Sequence, residues 1–122
     1  EGDSGVYLQY SYARAHSILE KAKEENIKPD ASILTGWATT EVEKLLYRFP
    51  EVVLRAGEEF APHYIVNYLT ELARAYNSFY GNNLIVKAGD DTSPYKVALS
   101  EAFATVMKNG LTILGIQAPE RM

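Results

Sequence analysis

"FAPHYIVNYLTELARAYNSFY", residues 60–80, decides the fold class. Ile65, Leu69, Leu72, Tyr76 and Phe79 recur at steps of 4, 3, 4 and 3, which is one face of an α-helix and not the period-2 alternation of a strand. Pro62 suits the first turn, where its missing N–H costs nothing, and Gly81, Asn82 and Asn83 offer the end. Toward the C-terminus, residues 81–94 read as a loop with turn chemistry in "GDDTSP". Ser93 as cap and Pro94 at the first position then open a last helix. On it Leu99, Phe103, Val106, Gly110 and Ile113 line up, and Gly115 closes it ahead of the tail "IQAPERM".

Toward the N-terminus, Thr39 or Thr40 caps a short helix over 41–48, Pro50 stops it, and another short helix follows over 51–59. "KPDASILTG", residues 28–36, holds a turn or a short helix and no motif. Asp3 or Ser4 caps a first helix over 6–25, whose Leu8, Tyr12, Ala15, Leu19 and Ala22 again step by 4, 3, 4 and 3. With no strand pattern anywhere, the expected architecture is all-α: a bundle of about four to six helices, with residues 1–122 forming one domain.

Composition narrows the function classes. No apolar run approaches the roughly 18 residues of a membrane span. The chain has no cysteine, which excludes disulfides, thiolate metal sites and cysteine nucleophiles. No secretory leader is visible, so a cytoplasmic protein without a membrane partner is expected. The first residue is Glu1, not methionine, so the chain reads as a piece of something longer. Twelve basic against sixteen acidic residues leave a net charge of −4, which argues against holding nucleic acid by bulk positive charge. Any such contact has to be local.

One face of the first helix carries more aromatic residues than a core stripe needs. At about 100° per residue, Tyr10 and Arg14 fall at about −60° and −20° from Tyr7, while the Leu8-to-Ala22 stripe clusters near +100°. Lys21 extends this second face. Aromatic planes beside a guanidinium suit unpaired bases and their phosphates. Equally, the tyrosines can pack on a neighbouring helix or the tail while Arg14 pairs with a surface carboxylate. Asn77 and Tyr80 sit together on the 60–80 helix, away from its apolar stripe. His16 and His63 lack partners at metal-ligand spacing, and no phosphate loop or nucleophile elbow occurs. No catalytic residue and no metal site is expected.

Three stretches then stand out together. "GDSGVYLQYSYARAHSIL", "EEFAPHYIVNYLTELARAYNSFY" and "VMKNGLTILGIQAPERM" resemble, in order and spacing, the C-terminal anticodon-binding (DALR-type) domain of arginyl-tRNA synthetase. The Gly-x-Tyr-x-Gln-Tyr run followed by Arg, the Ala-Pro-His before a long helix, the Asn-Ser-Phe-Tyr ending and the terminal Glu-Arg-Met carry the likeness. It is weakest over residues 26–56 and 82–94. The resemblance implies a module that recognises the anticodon loop of tRNA(Arg). Its parent would be an arginine–tRNA ligase that uses ATP with Mg in an upstream catalytic domain of the same chain. That domain's His-x-Gly-His and Lys-Met-Ser-Lys-Ser-type signatures are absent here, so these residues should bind and not catalyse, with no cofactor of their own. In the family, residues matching Tyr7, Tyr10, Arg14 and Met122 help form the pocket for the central anticodon base, and Asn77 and Tyr80 border the loop. Many relatives have histidine where this chain has Tyr12; because Tyr12 lies on the core stripe, the exchange should leave the base site unaffected. The competing reading is a helical protein-interaction module that docks a partner helix on the Tyr7/Tyr10 face.

Overall fold

The structure is a computed structural model that describes residues 2–32 and 34–122. Five helices and no strand occur among them: α1 (Gly2–Glu24), α2 (Glu41–Tyr47), α3 (Phe49–Glu58), α4 (His63–Asn82) and α5 (Ser93–Ile113). None is long and apolar enough to cross a membrane. The all-α expectation holds, and the α4 stripe is buried in full at Ile65, Leu69, Leu72, Tyr76 and Phe79.

The three long helices form the centre. The ring of Tyr76 on α4 stacks on Phe103 of α5, with centroids 4.2 Å apart and planes 7° from parallel. Further along the same pair, Leu69 meets α5 at Gly110, where an added Cβ would lie 2.6 Å from a Leu69 methyl. Rising numbers on α4 thus meet falling numbers on α5, and the two helices are antiparallel. α1 is also antiparallel to α5: Ile116, just past its end, reaches Gly5, while Asp30 N–H, just past α1, donates to Pro94 C=O at 3.0 Å. Leu8, Tyr12, Ala15 and Ala22 of α1 are buried against this pair, and Leu19 is half-buried.

The short helices brace one side. Thr40 caps α2 through a complete capping box, its hydroxyl accepting Val42 N–H while Glu43 accepts Thr40 N–H. Glu43 does more than cap, because its carboxylate also accepts Trp37 Nε1–H at 2.8 Å and Tyr95 O–H at 2.7 Å. Burial raises the pKa of this carboxyl, but the bonds from Thr40, Tyr95 and Trp37 outweigh it and hold the group below its ordinary value. This one side chain therefore ties the irregular 25–40 segment to α2 and α5. Pro50 lies in the first turn of α3, and Tyr68 of α4 donates its hydroxyl to Leu45 C=O, which locks α2 onto the centre.

Several sequence expectations shift. The first helix starts at Gly2, so Asp3 and Ser4 lie within it instead of capping it from outside. The third begins at Phe49 and not residue 51, because Pro50 is already a suitable early-turn residue there. Gly81 and Asn82 stay helical, and Asn83 is the cap. Ser93 is not the cap of α5: Thr92 holds that place, and the Ser93 hydroxyl accepts Lys87 N–H at 3.0 Å, closing the loop before the helix. On α5 the buried face runs through Ser100, Phe103, Met107 and Leu111, leaving Val106 half-buried and Ile113 exposed. No helix forms among the described residues of 28–36; Ile33 lies outside them.

Two left-handed residues end helices without glycine. Asn26 (φ 59°) terminates α1 and lets Ile27 N–H reach Ala22 C=O at 2.9 Å, a role asparagine fills readily. Phe60 (φ 52°) does the same after α3 with its side chain 92% exposed, a strained place for a bulky residue.

Candidate nucleic-acid interface

Tyr7, Tyr10 and Arg14 project from α1 at positions three and four apart, and Asn77 and Tyr80 project from α4 three apart, so both sets face the seam where the helices meet. Asn77 sits at its middle. Its Nδ2 donates to the Tyr7 hydroxyl and to Ser11 Oγ, each at 3.0 Å, and its Oδ1 accepts Arg14 Nη1–H at 3.2 Å. Ser11 in turn donates to Tyr7 C=O at 2.9 Å. Both amide protons and the amide oxygen are thereby used, and turning the amide over would set its NH2 group against the Arg14 guanidinium, which can only donate.

Arg14 is held from several sides. Its Nη2 donates to the Tyr10 hydroxyl at 3.0 Å, and its guanidinium carbon stands 4.3 Å from the centroid of the Tyr80 ring and 5.2 Å from that of Tyr10. Among the described residues no carboxylate comes within 4.0 Å of it; their ion pairs involve His16 and Arg55 instead. The alternative in which Arg14 pairs with a surface acid is therefore not what this geometry displays. The cation is positioned entirely by neutral groups and keeps its charge for an outside anion or a base edge.

The rings divide the work. Tyr10 is 48% exposed and Tyr80 37%, and these two frame Arg14. Tyr7 is half-buried, packs against the core and accepts an Asn77 amide proton on its hydroxyl oxygen, so it braces the seam from beneath. An exposed apolar Tyr7/Tyr10 stripe for a partner helix is thus not what α1 presents.

Met122 approaches from the far side of Tyr10. After Gly115 (φ 74°) the chain leaves α5 and runs back along α1, where Gln9 Nε2 donates to Gln117 C=O at 3.0 Å. Met122 then lines a cleft of about 380 Å³ with Tyr10, Ala13, Ser17, Glu20 and Arg121. All six residues expected from the sequence lie in one region: Tyr10, Asn77 and Tyr80 are bonded to or stacked on Arg14, Tyr7 joins through Asn77, and Met122 lies beyond the shared Tyr10 ring. Lys21 is exposed farther along α1. Ser11, fully buried and bonded into the seam, was missed. Its one sequence signal is its place, at about +40° on the helical wheel, between the core stripe and the aromatic face.

The DALR anticodon binding domain matches residues 8–122, nearly the whole chain and every residue of this seam except Tyr7. The chain belongs to that family. DALR-domain relatives include the arginine–tRNA ligase of Thermococcus kodakarensis, 42% identical over 130 residues, of which the chain spans 20%. That of Latilactobacillus sakei is 38% identical over 122 residues, and 22% of it is spanned. Both matches take in 100% of this chain. Among solved structures, the Thermus thermophilus arginyl-tRNA synthetase superposes with a TM-score of 0.80 at 34% identity, over 100% of this chain and 22% of that one. The DALR domain described here therefore spans about a fifth of the length of the relatives it matches.

Proposed function

We propose that this chain is the tRNA anticodon-recognition domain of an arginine–tRNA ligase, the C-terminal domain of a longer cytoplasmic synthetase. In that protein an upstream catalytic domain would use ATP with Mg to attach arginine to tRNA(Arg). One observation carries the reading: a guanidinium fixed by Asn77, Tyr10 and Tyr80, with no carboxylate of the described residues within 4.0 Å of it. An unstacked base can lie on an exposed tyrosine while Arg14 meets its polar edge or the adjoining phosphate, which is how single-stranded RNA loops are read. Tyr7, Tyr10, Arg14, Asn77, Tyr80 and Met122 are the residues assigned to this contact. The relatives named above, both arginine–tRNA ligases, support the choice of RNA.

The net charge of −4 fits a reader of a few bases. Stacking supplies about 1–3 kcal/mol per base without a broad basic surface, and most phosphate contacts would fall to the rest of the synthetase. The test is tRNA(Arg) binding by the full-length ligase carrying Arg14→Ala or Tyr10→Ala. Each should weaken binding by about 1–3 kcal/mol. Unchanged affinity together with unchanged aminoacylation would remove these residues from the site.

A further inference from the structure

Just past the end of α3 and its cap Glu59, the backbone calls for glycine and the sequence supplies Phe60. At φ 52° its Cβ is crowded, and the ring gains almost nothing in return, being 92% exposed. Strain of this kind persists where something beyond the local backbone favours the side chain. Phe60 stands at the edge of a cleft of about 450 Å³ whose lining side chains are all apolar: Val53 and Ala56 of α3, Pro62 before α4, Ile65 on α4 and the exposed Ile113 at the end of α5. Beside it Arg55 pairs with Glu59 at 3.2 Å, and Tyr64 donates its hydroxyl to Glu59 at 2.6 Å. The polar groups on this flank are thus engaged with one another. An apolar centre with a polar edge is the anatomy of a surface that packs on protein.

Its place in the bundle names the occupant. The cleft lies where α4 starts and α5 ends. α1 starts at the same end, since a Cβ at Gly5 would lie 3.8 Å from the side chain of Ile116, three residues past Ile113. Polypeptide upstream of α1 therefore enters beside the cleft. The chain spans only 20% and 22% of the two ligase relatives, so most of such a protein lies outside it. Tyr80 is fifteen residues along α4 from Ile65, about 22 Å at the rise of a helix, so a body seated on the cleft leaves the Arg14 seam open.

We propose that the Phe60 cleft is the seat of the upstream part of the same polypeptide, an apolar segment of which packs against Phe60 and Ile113 and holds the Arg14 seam at a fixed distance from the catalytic centre. The inference rests on the anticodon reading above, which supplies that upstream domain. In the full-length protein the Phe60 ring is buried between the two domains, and this burial offsets the strain at its backbone.

The test uses the full-length ligase with the photo-reactive p-benzoylphenylalanine in place of Phe60. Irradiation should join this position to a residue upstream of Glu1 within the same polypeptide, located by mass spectrometry of the digest. A product joined to a second copy, to added tRNA or only to residues 1–122, or no product at all, overturns the proposal. A second arm uses Phe60→Gly, which relieves the strain and empties the seat, so the variant keeps its fold. Proteolytic cleavage of the native protein ahead of α1 should then quicken on the order of tenfold, the effect of losing one buried aromatic side chain from the contact. Leu54→Ala, at an exposed α3 residue outside the cleft, should leave that rate unchanged. Equal rates in the parent and Phe60→Gly, or equal acceleration by Leu54→Ala, overturn the docking. Arg14→Ala separates the two readings. If it weakens tRNA binding while Phe60 finds no upstream residue, this proposal alone fails; if the upstream product forms and Arg14→Ala binds tRNA as the parent does, the anticodon reading fails instead.

Discussion

Tyr76 and Tyr80 stand one turn apart on α4 and are used in opposite ways. Tyr76 is fully buried, stacked on Phe103, and its hydroxyl donates to Ser100 at 2.8 Å; burial pushes its pKa up to about 12. Every surface of that ring has a partner inside the protein. Tyr80 leaves more than a third of its surface in solvent and lays one ring face against the Arg14 guanidinium, which no carboxylate of the described residues approaches within 4.0 Å. The same residue type therefore serves stability where its contacts are complete and binding where they are left open, and partner satisfaction separates the two better than hydrophobicity does.

The contrast is broken most severely at its buried end. Phe103→Ala removes the stack beneath Tyr76 and should cost about 3–5 kcal/mol in urea unfolding. Tyr80→Ala should cost less than about 1 kcal/mol of stability yet weaken tRNA binding by about 1–3 kcal/mol. If the two variants lose stability equally, the division fails. Next comes Gly110→Ala, whose new Cβ would fall 2.6 and 2.8 Å from the methyls of fully buried Leu69. The overpacking exceeds the gain in helix propensity, for a net loss of about 1–2 kcal/mol. Combining it with Leu69→Ala should recover part of that loss, as a double-mutant cycle would show.

The smallest effect is at Glu43. Its folded-state pKa lies below the ordinary 4.5, so its stabilising contribution is complete above that pH and is lost as pH falls through the lowered value. Thermal unfolding followed from pH 6 down to about 3 should show Glu43→Gln with a shallower acid slope than the parent. Equal slopes would mean that the carboxylate is not what ties the 25–40 segment to α2 and α5.

Legibility followed the same division. The α4 stripe could be read because all five of its apolar residues face a core on one side. α5 could not be read in the same way, because it packs on both α1 and α4. Its buried face includes Ser93 and Ser100, whose hydroxyls are satisfied by Lys87 N–H and by Tyr76 and Lys96 C=O. Hydropathy cannot see a polar side chain buried with its partners. Tyr10 and Arg14 were visible because their face lies off the core stripe. What the sequence could not show was that Tyr7 points its hydroxyl inward, that Ser11 completes the seam, or that the tail places Met122 on the other side of Tyr10. Each depends on which helix lies opposite.

Asn77 makes the seam a gauge of helix docking. Three hydrogen bonds to three α1 side chains converge on one short amide from α4. A slide or rotation of α1 by about 1 Å stretches all of them together, beyond the narrow range of distances that hydrogen bonds tolerate. Arg14 then swings free of Tyr80 while the apolar core is still closed. On warming, RNA recognition should fail before the bundle melts, so loss of binding is an early report of loosening between α1 and α4.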